Sequence, residues 1–195
     1  MDNLNELLSE VRACQLCEAD LPLGPRPVVS VHPKARLLII GQAPGSKVHA
    51  SGIPWDDQSG NTLRRWLDVS HEDFYDETRV GIVPMGFCYP GRGVSGDLPP
   101  RPECAPHWHK KLLDQMPGIG LTLLIGQYAQ RYYLTPDRPR TVTDTVRQFA
   151  TWYPRFLPLP HPSPRNGYWL KRNPWFERDL VPLLRITVKR VLASG

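Results

Sequence analysis

The sequence predicts an α/β protein, a three-layer α/β/α sandwich around a central, mainly parallel sheet of four strands. Three observations carry that expectation. Short apolar runs recur at 36–41, 79–83, 121–126 and 156–160, and runs without polar alternation belong to strands covered on both faces. Amphipathic stretches with helical spacing lie before, between and after them. Strand and helix alternate along the chain, the order that builds a parallel sheet with helices on its two faces.

Residues 2–13 carry Leu4, Leu7, Leu8 and Val11 at helical spacing. A proline-rich crossing follows to Pro33. Arg36-Leu-Leu-Ile-Ile-Gly41 is a buried strand ending in glycine. Residues 60–68 predict a helix with Leu63, Trp66 and Leu67 inward, and Arg79–Val83 a second strand. A helix is expected over 103–116, then a third strand at Leu121–Gly126 and a short helix from Gln127. Phe156-Leu-Pro-Leu-Pro160 is a fourth strand, placed near a sheet edge because its prolines cannot donate to a ladder. From Trp175 to Leu192, Leu180, Leu183, Leu184, Val188 and Val191 share one face of a closing helix.

With 195 residues the chain can build one sizeable core, so a single domain over 1–195 is expected. Hydrophobic residues make up 41%, as in ordinary soluble proteins. MDNLNELL places acidic and polar residues where a secretion signal would be basic and then apolar. No run approaches the ~18 apolar residues of a membrane span. The expectation is therefore a cytoplasmic protein, monomeric and without a membrane partner. The net charge of +5 suits a polyanionic partner without requiring one. The 22 prolines gather in loops, at 99–102 and 158–164 above all, and stiffen the connections around the core.

Four cysteines fall as Cys14-x-x-Cys17, then Cys88 and Cys104. That is the arithmetic of a tetrahedral thiolate site, an Fe–S cluster or Zn²⁺, or else of two disulfides. The lack of secretory features favours the metal. Such a site would tie the N-terminal segment to the middle of the chain.

In this fold class ligands bind outside the carboxyl ends of the strands. The first strand ends in Gly41-Gln42-Ala43-Pro44-Gly45, whose glycines admit close backbone approach. The fourth ends in His161-Pro162-Ser163-Pro164-Arg165-Asn166. Taken separately, each motif also fits a bland reading, a strand-to-helix turn and a structural histidine.

Together, GQAPG after the first strand and HPSPRN after the last resemble the two active-site motifs of the uracil-DNA glycosylase superfamily. Gly52-Ile-Pro-Trp55 and Ser59-Gly60-Asn61-Thr-Leu63 follow at the matching distance. The cysteine spacing resembles the iron–sulfur enzymes of family 4, whereas HPSPRN is similar to the single-strand-selective monofunctional branch. The likeness spans roughly residues 10 to 192.

That resemblance implies a DNA-repair glycosylase that flips uracil, or a related deaminated base, out of DNA and hydrolyses its N-glycosidic bond. It implies a [4Fe–4S] cluster, or alternatively Zn, on Cys14, Cys17, Cys88 and Cys104. Gly41, Gln42, Ala43, Pro44 and Gly45 would line the base pocket, and Trp55 would stack on the flipped base. His161 would donate to the uracil oxygen on which charge develops, as donors in an oxyanion hole do. Ser163, Arg165 and Asn166, with Lys171 and Arg172, would contact DNA, Arg165 filling the space left by the extruded nucleotide.

The sequence also departs from the pattern. Gln42 stands where many family 4 members carry an acid, and the usual uracil-reading asparagine is absent from Val83-Pro-Met-Gly-Phe87. Orientation of the attacking water would then fall first to Asn61 or the backbone near Ala43, then to His49, and then to Asp56. These losses keep open a second reading, a non-catalytic DNA-binding protein on the same fold. A third, a metallohydrolase using His161, conflicts with a four-thiolate site that leaves no open position for water.

Overall fold

Alternation along the strands decides which helix goes on which face of the sheet. The computed structural model describes residues 2–194; Met1 and Gly195, the ends of the expected unit, lie outside the described residues. In chain order the elements are α1 (Asp2–Arg12), β1 (Leu37–Ile40), α2 (Ser46–Ser51), α3 (Gln58–Leu67) and α4 (His71–Tyr75). Next come β2 (Val80–Ile82), the short strands β3 (Arg92–Gly93) and β4 (Gly96–Asp97), and α5 (Lys110–Leu113). The chain continues with β5 (Leu121–Ile125), α6 (Gly126–Leu134), α7 (Val142–Arg147), β6 (Phe156–Leu159), α8 (Gly167–Arg172) and α9 (Val181–Ala193).

Leu37 and Ile39 of β1, with Leu121, Leu123 and Ile125 of β5, join one buried cluster with Leu63, Trp66, Phe74, Val146, Leu184 and Val188. The residues between them, Leu38, Ile40 and Leu124, join a second cluster with Leu4, Val11, Leu112, Ala129 and Leu134. The period of two in a strand therefore puts α3, α4, α7 and α9 on one face and α1, α5 and α6 on the other. Each fully buried Leu or Ile is worth roughly 1.5–3 kcal/mol over exposure, so burial against both sheet faces holds the three layers.

The sheet order is β2-β1-β5-β6, all parallel, with Leu37 opposite Val80, Ile40 opposite Leu124 and Ile125 opposite Leu159. β6 is at the edge, as its prolines predict. The two motif-bearing strands are not neighbours: β5 lies between β1 and β6, so the motifs meet across the end of β5. Gln130 of α6, fully buried, donates to the carbonyls of Leu124 (3.2 Å) and Leu159 (2.9 Å) and fixes the carboxyl ends of β5 and β6 together.

Two expected helices differ from the sequence reading. The 103–116 and 175–192 stretches each begin in a wide π turn, Ala105–His109 and Phe176–Leu180, before tightening into α5 and α9. Pro106 lies in the first turn of 105–109, where its missing N–H is not needed, whereas Pro182 follows the second π turn at the start of α9 and cannot donate to the Arg178 carbonyl. The hairpin of β3 and β4 was not expected; Gly91 and Gly96, at φ 98° and 145°, supply conformations other residues avoid.

Candidate active site

An open cleft of about 500 Å³ lies at the carboxyl ends of the strands and receives both motifs. Gly41 to Gly45 make its floor, held by Met85 N–H to the Gly41 carbonyl and Gly86 N–H to the Gln42 carbonyl, each 2.9 Å. Trp55, His161, Ser163, Arg165 and Asn166 complete the walls with the β3–β4 hairpin. The Trp55 and His161 rings lie 5.8 Å apart at 35°.

Trp55 is placed by two glycines. A Cβ on Gly41 would come within 2.7 Å of the indole, and a Cβ on Gly60 would overlap the Trp55 carbonyl oxygen. Trp55 itself has φ 58°, a left-handed conformation that costs a non-glycine residue energy and persists only where its surroundings enforce it. Asp57 enforces the following turn: its Oδ1 accepts Gly60 N–H at 2.8 Å and caps α3.

His161 is half-buried, and its protonation is dictated locally. Nδ1 accepts the Ser163 N–H at 3.2 Å, which leaves the ring proton on Nε2 as a free donor. Burial pushes its pKa below the ordinary histidine range, opposed by the Asp57 carboxylate. At neutral pH the ring is therefore a neutral Nε2–H donor in the cleft. Asn166 donates to the His161 carbonyl at 2.7 Å and fixes the loop that carries it.

Arg165 reaches across the cleft mouth. Its Nη1 donates to the Ser95 carbonyl at 3.0 Å, and its guanidinium lies where a Cβ on Gly96 would stand. The motif loop and the hairpin are thus fastened to each other. The hairpin tip carries Val94, fully exposed.

Other expected residues lie elsewhere. Asn61 and His49 are not among the residues lining the cleft. Asn61 is exposed on α3, its Oδ1 accepting from Arg64 at 2.5 Å, because the first turn of α3 presents position 61 outward. His49, on α2, lies 6.1 Å from the Tyr89 ring with Nδ1 enclosed and unpartnered. Asp56 is exposed. Lys171 and Arg172 close α8, exposed outside the cleft, with Arg172 over the Tyr168 ring at 5.4 Å. Conversely Asp57, Tyr89 and Asp97 line the cleft without having been expected there, beside Ser59 and Arg92. The Asp57-x-x-Gly60 capping signal and the glycine-dense 91–96 stretch were the available signs.

The four cysteines are free thiols; Cys17, Cys88 and Cys104 are buried and Cys14 half-buried. Burial raises Cys17 and pushes Cys88 up to about 11 and Cys104 to about 12, and the thiols add to one another's shifts. The Arg26 and Phe87 backbone N–H groups are directed at the Cys88 and Cys104 sulfurs, the donors a thiolate needs. Arg101, paired with Asp20 at 2.8 Å and Glu103 at 2.6 Å, acts on Cys17 with positive charge. Among the described residues no three His, Cys, Asp or Glu side chains are placed to hold one metal ion.

The family model of the uracil DNA glycosylase superfamily matches residues 29–185 of this chain. A Type-4 uracil-DNA glycosylase of Saccharolobus solfataricus is 26% identical over 158 residues, spanning 78% of this chain and 69% of that protein.

Proposed function

Because the chain belongs to the uracil-DNA glycosylase superfamily, we propose that it is a DNA-repair hydrolase releasing uracil, or a related deaminated base, from DNA. The observation that carries this reading is the cleft in which Trp55 and His161 stand 5.8 Å apart above the Gly41–Gly45 floor. A flipped base stacks on the Trp55 indole. The His161 Nε2–H donates to the base oxygen that gains charge as the glycosidic bond breaks, a preorganised donor in a partly dry site. Arg165 and Asn166, with Ser163, hold the displaced strand, and Lys171 and Arg172 add phosphate attraction. The protein works as one domain over 1–195, a monomer of the cytoplasm.

Cys14, Cys17, Cys88 and Cys104 hold a [4Fe–4S] cluster that ties the N-terminal segment to the 88–104 region. The likeness to a Type-4 enzyme supports this, as does the donor chemistry: four buried or half-buried thiols, two with backbone N–H donors. A cluster takes one thiolate per iron and does not require the sulfurs to meet at one ion, whereas Zn²⁺ does. Its role is structural.

One observation favours the non-catalytic alternative. Gln42, in the place of an acid, turns its amide onto the Leu98 carbonyl at 3.4 Å, so the floor loop offers no carboxylate. The deciding test is a strand-scission assay on uracil-containing single- and double-stranded oligonucleotides. Alkali-labile sites at uracil are expected. Binding of both DNAs without any release of base would leave the non-catalytic reading standing.

A further inference from the structure

Among the described residues only two Phe, Tyr or Trp side chains are exposed, Tyr132 and Tyr168. Tyr132 packs edge-on against Tyr133 and lies 6.1 Å from the His109 ring. Tyr168, 69% exposed, has a different setting. It is the second residue of α8, two positions beyond Asn166 of the cleft wall. The Arg172 guanidinium lies over its ring at 5.4 Å, and Arg172 Nη1 donates to its hydroxyl at 3.2 Å. A cation thus braces one face of the ring, and the other face is open to solvent.

We propose that Tyr168 is a stacking platform for an unpaired base of the DNA strand that runs through the cleft, a subsite that rests on the DNA reading of the cleft given above. The ring has a rigid seat. Trp169 and Leu170 pack against the core, Trp169 Nε1 donates to Thr143 Oγ1 at 2.8 Å, and Asn173 donates to the Trp169 carbonyl at 2.9 Å. Tyr168, Lys171 and Arg172, three and four positions apart, share the exposed face of α8. The charge is of one sign: residues 161–176 contain no Asp or Glu and carry Arg165, Lys171 and Arg172. An aromatic ring set among cations is the pattern that holds a single strand without reading its sequence, because every base has a π-face.

A lone exposed tyrosine is ordinary on a protein surface. This one is distinguished by its bracing cation, its fixed helix and its place on the same unit as His161. Asn166 donates to the His161 carbonyl at 2.7 Å, so the loop that carries His161 and the helix that carries Tyr168 are joined through one residue. A strand held at Tyr168 is thereby held in register with the histidine in the cleft. The Arg172 bond to the hydroxyl orients the ring in advance, so little side-chain freedom is lost when a base stacks on it. The occupant is an unpaired base, since only an unstacked base has a face to give.

The test is fluorescence anisotropy with two single-stranded oligonucleotides, each carrying one 2′-fluoro-uracil nucleotide, which resists hydrolysis. In one the flanking positions carry bases; in the other they are abasic spacers that keep every phosphate. Tyr168→Ala should weaken binding of the first roughly 10–100-fold, the usual loss for a base-stacking ring, and leave the second within about threefold. Tyr168→Phe keeps the π-face and should bind both within about threefold of wild type. Lys171→Ala should weaken both alike and flatten the salt dependence, as loss of a phosphate contact does. Thermal melting checks that each variant is folded. Equal losses on the two oligonucleotides for Tyr168→Ala, or no loss on either, would overturn the platform, while release of uracil from the unmodified strand reads the glycosylase activity separately. A wild-type protein that binds neither oligonucleotide would overturn the platform and the DNA reading together.

Discussion

His161 shows how one hydrogen bond decides a side chain's chemistry. With Nδ1 occupied by the Ser163 N–H, the ring has a single donor to offer. Replacing it by alanine should lower single-turnover excision ~10²–10³-fold, the usual loss for a donor to developing charge, while affinity for uracil DNA changes little. Equal rates for variant and wild type would remove His161 from the chemistry. A second histidine, His109, is buried for a different purpose. Tyr133 O–H donates to its Nδ1 at 2.6 Å and its Nε2–H donates to the Pro84 carbonyl at 2.9 Å, which fixes the segment after β2. Burial pushes its pKa down to about 4, against about 6.5 in an unfolded chain. The unfolded chain therefore takes up the proton first as pH falls. Stability from this group is intact above about pH 6.5 and is lost toward pH 4, by up to about 3 kcal/mol. Urea unfolding across that window should show this loss in wild type and a flatter profile in His109→Gln.

At the scale of elements, the start of α3 and the β3–β4 hairpin both line the cleft and respond to change differently. The α3 wall is rigid: Gly60 has no room for a methyl group beneath the Trp55 carbonyl. Gly60→Ala should destabilise the protein by about 2 kcal/mol or more, as overpacking of a close contact does, and should lower excision because Trp55 is displaced. A melting temperature equal to wild type would contradict that. The hairpin is two residues per strand and is held to the opposite loop by the Arg165–Ser95 bond. Arg165→Ala should speed amide exchange over residues 92–97 and weaken DNA binding several-fold, with a smaller effect on the single-turnover rate. Exchange that does not change would mean the hairpin stands without Arg165.

At the scale of the whole molecule, the thiols join distant parts of the chain. Cys14 and Cys17 follow α1, Cys88 lies beyond β2, and Cys104 opens the π turn before α5. The isolated protein should be brown, with absorbance near 400 nm and iron and acid-labile sulfide in equal amounts. Cys104→Ser should lose that colour and make residues 13–30 newly open to limited proteolysis, since metal binding and folding are coupled. A colourless wild-type protein whose N-terminal segment resists protease equally in both forms would refute the cluster's structural role.

The sequence by itself determined the layers and the identity of the two cleft motifs. Apolar runs such as LLII and LTLLI state burial on both faces, and leucine spacing in 60–68 and 175–192 states which helix face turns inward. Trp55 and His161 were legible through the likeness of GQAPG, GIPW and HPSPRN, in that order, to the motifs of the uracil-DNA glycosylase superfamily. What only the tertiary structure decided is which residues near those motifs face the cleft. Asn61 and Asp57 are four positions apart, about one helical turn, and the side chain that faces the cleft depends on the N-cap geometry at Asp57 and the packing of Gly60 under Trp55. The hairpin wall likewise depends on a hydrogen bond between Arg165 and Ser95, seventy positions apart. Local periodicity carries no information about contacts at such separation; they follow from the strand order that places β5 between β1 and β6.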